Sequence, residues 1–269
     1  QPGGRPHAET EALERAGNAA RGATVYLTLE PCAHIGETAP CTDALIDSGV
    51  ARAVIAVEDP DPRVSGAGIM KLRKAGIKTD VGCLSEMARK LNAGFFNRIN
   101  KGRPFVAWKT ATTLDGQIAG EGDAKWISGE ESRSRAHLLR ARFDAVLTGM
   151  GTVIEDDPKL TCRLPGLEER SPIRVLMQGE RSLPEKNNLA LTSRRAEIWV
   201  YTASKTETPT FDRHIEGMKI IPVTGNVWPE PEAVLSDLAK RGITRVMIEA
   251  GTGIAASFLE RDLIDEIHW

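Results

Sequence analysis

Three short strings, Pro6-His7-Ala8-Glu9, Glu30-Pro31-Cys32 and Ala39-Pro40-Cys41, constrain this chain more than any other feature. A histidine and two cysteines are soft donors for one zinc ion, and a catalytic zinc takes three protein ligands and keeps its fourth position open. If they share an ion, three separate elements must end at one point. The run Ala8, Ala12, Leu13, Ala16 falls near helical spacing, which predicts His7 and Glu9 in the first turn of a helix. Thr24 to Leu29 alternates and is rich in β formers, so Cys32 follows a strand end. Pro40 precedes Cys41, and Asp43 to Ser48 before Gly49 predicts a short helix with a glycine stop. Cys41 then sits at a helix N-terminus, where the backbone dipole favours thiolate. Glu9, two residues from His7, is close enough to reach water on the metal without being a ligand. Buried thiols with a capping imidazole are the alternative. His-x-Glu together with two Pro-Cys pairs on suitable elements favours an open hydrolytic site.

That layout resembles the zinc deaminases, His-x-Glu followed by Pro-Cys and a second Cys. The spacing is unusual, since eight residues separate Cys32 from Cys41 where the commoner pattern has two. The string PCAHIGETAPC resembles the PC-(x)-G-(x)-T-P-PC loop of the bifunctional riboflavin-biosynthesis deaminase/reductases, with Ala39 where that family usually has proline. The resemblance implies a cytidine-deaminase-like three-layer domain whose front part, a helix and two strands, is missing ahead of His7. It also implies that the family continues past the strand beginning at Asp265 to Trp269.

A length of 269 residues leaves room for two domains, each able to bury a core. The formal net charge of -2 offers no basic field for nucleic acid or membrane. Four cysteines are too few for a disulfide framework, and no secretory or transmembrane stretch is present, so a reducing cytoplasm is expected. Cys83 and Cys162 lack partners at ligand spacing and are expected to be inert structural thiols.

Strand Arg52 to Val57, helix Gly68 to Ala75, strand Lys78 to Gly82 and helix Ser85 to Asn92 alternate, which argues an α/β sheet with parallel strands. Glu58-Asp59-Pro60-Asp61-Pro62 is turn chemistry and only a rim candidate for the first pocket. Residues 93 to 104, punctuated by Gly102 and Pro104, are expected to divide a domain at 1–100 from one at 101–269. The second unit starts with strand Phe105 to Ala111. It continues through helix Glu130 to Arg142, strands at Ala145 to Thr148, Arg174 to Met177, Glu197 to Tyr201 and Lys219 to Val223, helix Pro231 to Arg241 and strand Arg245 to Ile248. Glu185 to Arg195 is polar and expected to be rich in loop.

No Gly-x-Gly-x-x-Gly follows the first strand of this unit, so an ordinary dinucleotide fold is not indicated. Its glycine signal is late: Glu249-Ala250-Gly251-Thr252-Gly253 joins a strand to a helix beginning near Ile254, where backbone N–H groups can bind a pyrophosphate. With Lys109-Thr-Ala-Thr-Thr-Leu-Asp-Gly116, Trp126-Ile-Ser-Gly129, Thr152 and Asp156 to Arg163, this half resembles the reductase of the same bifunctional family, a dihydrofolate-reductase-like α/β domain using NADPH. The resemblance implies that Ala111, Trp126, Thr152, Asp156, Gly251, Thr252 and Gly253 contact the cofactor. It likewise implies that Lys109, Ala124, Arg140, Leu160, Arg163 and Glu249 hold a ribosyl phosphate, with Ala124 replacing a serine usual in the family. Guanidinium forks grip phosphate oxygens in pairs, which suits Arg140 and Arg163.

The expected function is therefore riboflavin synthesis in two steps. The first, with Zn2+ bound by His7, Cys32 and Cys41 and Glu9 as proton carrier, deaminates a diaminopyrimidinone ribosyl phosphate. The second reduces its ribosyl chain with NADPH. The family resemblance further implies a homo-oligomer through the reductase domain. A nucleic-acid-editing deaminase would need a basic groove and stacking aromatics, against 5% aromatic residues here. A structural zinc would need a fourth Cys or His, for which His34 is the nearby candidate.

Overall fold

The computed structural model describes residues 6–34, 39–118, 126–184, 186–204 and 215–269. The chain divides into two compact units, Gln1–Asn100 and Lys101–Trp269.

The first unit is built on three parallel strands, β1 (Thr24–Leu27), β2 (Arg52–Ile55) and β3 (Lys78–Val81), in that order, with Thr24 beside Arg52 and Arg52 beside Lys78. One face carries Leu27, Ala53 and Ile55 against Leu45 and Leu72, from helices α2 (Cys41–Asp47) and α3 (Ala67–Lys74). A smaller cluster of Ala56, Val57 and Ala88, with Leu29 and Phe96, brings in α4 (Ser85–Leu91) and α5 (Ala93–Lys101). Residues 93 to 101 are thus helix, where the sequence suggested only boundary punctuation. His7 stands extended at the N-cap position of helix α1 (Ala8–Ala16) without a side-chain capping bond, and Glu9 and Glu11 in its first turn complement the helix dipole.

In the second unit seven strands lie parallel in the order β10 (Glu266–His268), β4 (Phe105–Lys109), β9 (Arg245–Ile248), β5 (Ala145–Gly149), β6 (Ile173–Gln178), β7 (Ile198–Ala203) and β8 (Met218–Val223). β5 and β7 are buried along their whole length, as strands covered on both faces must be. Helices α9 (Pro231–Lys240) and α10 (Thr252–Leu259) cover one face through Val234, Leu235, Leu238 and Phe258. Helices α6 (Glu130–Arg142), α7 (Met150–Asp156) and α8 (Asn188–Leu191) cover the other through Leu139, Met150, Val153 and Leu189. α7 and α8 were not foreseen, being short and poor in amphipathic contrast, and α10 begins at Thr252, ahead of Ile254.

Because every strand runs the same way, all their carboxyl ends meet at one edge. The adjacent strands β5 and β9 send their helices, α7 and α10, to opposite faces. A crevice at such a switch point is the usual ligand seat of an open α/β sheet.

Candidate active sites

The first site forms where α1, the end of β1 and α2 begin or stop. His7 Nδ1 lies 3.1 Å from Cys41 Sγ and 3.7 Å from Cys32 Sγ, and the three donor atoms fall within 4.8 Å of one another. Those separations match the edges of a tetrahedron with bonds of about 2.0–2.3 Å, so the set fits zinc. The Cys41 N–H donates to Cys32 Sγ at 3.2 Å, and Thr42 donates from both N and Oγ1 to the Cys32 carbonyl, each at 3.2 Å. These bonds fix where the Cys32 sulfur points.

The two thiols are coupled. The neighbouring Cys41 side chain, its N–H and His7 lower the Cys32 thiol to about 5, although burial opposes them. Cys41 is pushed up, first by its interaction with the Cys32 sulfur, then by burial and by the Glu9 carboxylate. Two sulfurs this close cannot both carry charge unless a cation lies between them, and the pair outweighs the dipole of a helix of seven residues. Glu9, partly buried in the first turn of α1, is thus near enough to be felt at Cys41 and stands outside the donor set. Among the described residues His34 does not join the donors.

Glu30, directly before Pro31-Cys32, carries a role that the sequence did not disclose. Its buried carboxylate accepts the N–H groups of Asp59 (3.1 Å), Gly66 (3.0 Å), Gly68 (2.8 Å) and Ile69 (3.1 Å). One side chain thereby ties the 58–62 turn and the start of α3 to the strand end that presents Cys32. Asp59 and Asp61 are both buried, and burial raises the Asp59 carboxyl.

In the second unit Glu249, just past β9, receives a two-pronged grip from Arg140: Nε to Oε1 at 2.6 Å and Nη2 to Oε2 at 2.8 Å. Lys109 Nζ, from the end of β4, lies 3.8 Å from the same carboxylate. Burial would raise the Glu249 carboxyl, but Arg140 and then Lys109 hold it below its usual value, so it stays ionised. Arg140 Nη1 also donates to the Thr161 carbonyl at 3.3 Å. Most of its five N–H donors are therefore engaged within the chain, and of the two arginines read as phosphate anchors Arg163 is the exposed one. Leu160 is 3% exposed at φ 52°, so its side chain belongs to the core and only its backbone faces the site. That left-handed residue, strained for a side chain of this size, sets the direction of the Thr161 carbonyl.

Of the residues read as cofactor contacts, Thr152 and Gly251 meet: the Gly251 N–H donates to Thr152 Oγ1 at 3.3 Å across the crevice between α7 and α10. A Cβ added at Gly151 or Gly253 would meet nothing within 4 Å, so the first turns of α7 and α10 are uncovered on that side. Thr148 Oγ1 and both polar atoms of the Gln178 amide are buried with no partner among the described residues, near the carboxyl ends of β5 and β6. Orphaned polar atoms beside open glycine turns fit a polar dinucleotide. Asp156 is exposed at the end of α7, Ala111 is half-buried just past β4, and Trp126 is exposed beneath the Arg133 guanidinium, 4.9 Å from its ring. Ala124 lies outside the described residues. Sequence reasoning missed His137, whose ring sits among Arg140, Thr161 and Arg163; its spacing one turn before Arg140 on α6 was the available signal. Cys83 is exposed, Cys162 is buried, and both are free thiols.

Comparison with known proteins agrees with both halves. Residues 2–57 match the family described as cytidine and deoxycytidylate deaminase zinc-binding region, and residues 104–269 match the RibD C-terminal domain. The riboflavin biosynthesis protein RibD of Bacillus amyloliquefaciens is 41% identical over 268 residues, covering 99% of this chain and 71% of that protein. A solved RibD structure from Acinetobacter baumannii superposes with a TM-score of 0.85 at 36% identity, covering 98% of this chain and 72% of that one. A diaminohydroxyphosphoribosylaminopyrimidine deaminase/5-amino-6-(5-phosphoribosylamino)uracil reductase from Thermotoga maritima gives 0.80 at 38% identity, covering 96% and 71%.

Proposed function

The chain belongs to the RibD family, the bifunctional deaminase/reductases of riboflavin biosynthesis, and we propose that its two units divide the chemistry, the first deaminating and the second reducing. The enzyme hydrolytically deaminates 2,5-diamino-6-(ribosylamino)pyrimidin-4-one 5'-phosphate and reduces the ribosyl side chain to ribityl, with zinc and NADPH as its cofactors.

In the first unit His7, Cys32 and Cys41 would hold the zinc. When bound, that ion supplies Lewis acidity, lowering the pKa of a water ligand toward neutrality. Glu9 takes the proton that the attacking water gives up and returns it to the departing ammonia. Glu30 keeps the Cys32 segment in register with the 58–62 turn, which we place at the rim of this pocket.

In the second unit the turns at Gly149–Gly151 and Gly251–Gly253, with Thr152, would seat NADPH, and Trp126, Ala111 and Asp156 would border it. The cofactor supplies a hydride. Hydride acceptance at the sugar carbon needs the open-chain imine, so the ribose ring must open first. Lys109 and Glu249, adjacent and oppositely charged, hold the ribose hydroxyls during that opening, and Arg163 grips the 5'-phosphate. Arg140 acts through Glu249, which it keeps ionised and aimed.

No helix among the described residues is long and apolar enough to cross a membrane. We place the enzyme in the cytoplasm, which keeps ligand thiols reduced and supplies NADPH, and infer association of copies through the second unit from the family resemblance. Sedimentation of the purified enzyme would decide the latter.

The convergence of His7, Cys32 and Cys41 beside Glu9 carries the reading, and Glu9→Gln tests it. Glutamine keeps the reach of the side chain but cannot accept a proton at neutral pH. Positioned proton transfer contributes about 10²- to 10⁴-fold to a rate, so ammonia release should fall by that factor while bound zinc, measured by elemental analysis, stays unchanged. NADPH-dependent reduction of already deaminated substrate should continue near the parental rate. Undiminished ammonia release would refute the assignment.

A further inference from the structure

His137 is a half-buried imidazole inside the cationic end of the reductase site. Its Nδ1 faces two donors, the Arg163 N–H at 3.3 Å and Arg140 Nη1 at 3.5 Å, and one acceptor, the Thr161 carbonyl at 3.1 Å. One nitrogen cannot satisfy both kinds of partner. Neutral, with its lone pair on Nδ1, it accepts from Arg163 and Arg140; protonated, it donates to Thr161. In the cation, and in the neutral tautomer with its lone pair on Nδ1, the other nitrogen, Nε2, carries a proton, whereas the neutral tautomer that donates from Nδ1 to Thr161 leaves Nε2 to accept; Nε2 bonds to nothing among the described residues.

We propose that His137 is a further substrate-binding residue of the reductase, neutral in the free enzyme and taking up a proton as the ribosyl 5'-phosphate binds, with Nε2–H and Arg163 gripping the phosphate together. The proposal rests on Arg163 as the phosphate anchor. The groups facing the ring are Arg140 from α6, Thr161 and Arg163 from the loop after α7, and Glu249 beyond β9. Burial, Arg140 and Arg163 all hold the free imidazole below its ordinary value. Glu249 attracts the proton, but Arg140 already neutralises it. A dianionic phosphate beside the ring reverses the balance, because it offsets both arginines and pairs with the imidazolium.

Linkage fixes the sign. Binding draws in a proton only between the imidazole's lower free value and its higher bound value, and affinity weakens as pH rises through that window. The phosphate's own second ionisation, near about 6, is complete by pH 7.5. An imidazole that is neutral in the free enzyme and partly protonated in the complex then takes up a fraction of a proton from buffer on binding.

Calorimetric titration of ribose 5-phosphate into the full chain at pH 7.5, in two buffers of different ionisation enthalpy, counts that proton. The parental chain should take up a measurable fraction of a proton and lose affinity from pH 7 to 8. His137→Gln, which keeps a donor but cannot titrate, should bind more weakly, with near-zero uptake and a flat pH dependence. Uptake that persists in His137→Gln would overturn the proposal. Should ribose bind as well as ribose 5-phosphate, and Arg163→Ala change nothing, the phosphate-site reading itself falls and takes the proposal with it. The imidazole NMR signal of His137 in the parental protein gives a readout that needs no altered chain to fold: its titration midpoint should rise on adding ribose 5-phosphate, and a fixed midpoint would count against the role.

Discussion

Arg163 and Arg140 look alike as residues, yet they do different work. Arg140 spends most of its donors on Glu249 and the Thr161 carbonyl, whereas Arg163 is exposed as a residue. Removing Arg163 therefore costs a ligand contact and little structure. A hydrogen bond to a charged group contributes about 1.5–3 kcal/mol, so Arg163→Ala should raise the reductase's apparent substrate constant by about one to two orders of magnitude and leave NADPH affinity unchanged. Steady-state kinetics with each substrate varied in turn would check this, and an unchanged substrate constant would remove Arg163 from the site. Trp126 is 61% exposed, so it is not a core residue. If its ring borders the cofactor, NADPH should quench part of the tryptophan emission, and Trp126→Leu should abolish that part among the five tryptophans.

At the scale of elements, two glycines decide how closely helices approach strand ends. A Cβ on Gly68 would collide with the Pro31 carbonyl oxygen and also reach Glu30 Oε1 at 3.1 Å, so α3 would have to back away from the segment that carries Cys32. A Cβ on Gly149 would meet the Ile254 Cδ1 atom at 2.5 Å, the far end of a side chain that can rotate. Overpacking against fixed backbone costs about 1–3 kcal/mol. Gly68→Ala should thus destabilise the first unit by that amount and weaken zinc retention against a chelator, while Gly149→Ala should cost less and spare zinc. Denaturant midpoints and chelator competition on the two variants would test the order; equal zinc retention would mean that Glu30 and α3 do not position Cys32.

For the molecule as a whole, charge pairing in the second unit predicts its response to acid. Burial would raise Asp237, Glu249 and Asp265, but Arg241 with Tyr201, Arg140 and Arg103 respectively outweigh it, so all three carboxyls lie below their ordinary values. Groups depressed in the folded state stabilise it above their unfolded values of about 3.9 for Asp and 4.3 for Glu, and that stabilisation is lost as pH falls through the folded values. These three pairs should therefore leave stability nearly flat from pH 7 to about 5 and make it decline steeply below about 4, whereas His137, held below its ordinary value by burial, Arg140 and Arg163, adds a loss that begins as pH falls through the unfolded imidazole's value of about 6.5. Melts followed by circular dichroism across that range would show it, and a decline at pH 6 that persists in His137→Gln would point to other groups.

Much of this was legible in the one-dimensional chain. The zinc donors could be read because their chemistry is local: His7 and Glu9 need one helical turn, and each cysteine needs only the strand end or helix start beside it. Buried parallel strands are near-continuous apolar runs, so β5, β6, β7 and β9 were visible as well. The tertiary structure alone decided matters that depend on distant residues meeting. Glu30 gathers amides from residues 59 to 69, Arg140 is claimed by Glu249 across 109 positions, and Cys32 and Cys41 come close enough to compete for one proton. A sequence states which side chain can carry a charge or a bond. Which partner it finds, and what is left free for substrate, follows only when packing has brought the competitors within reach.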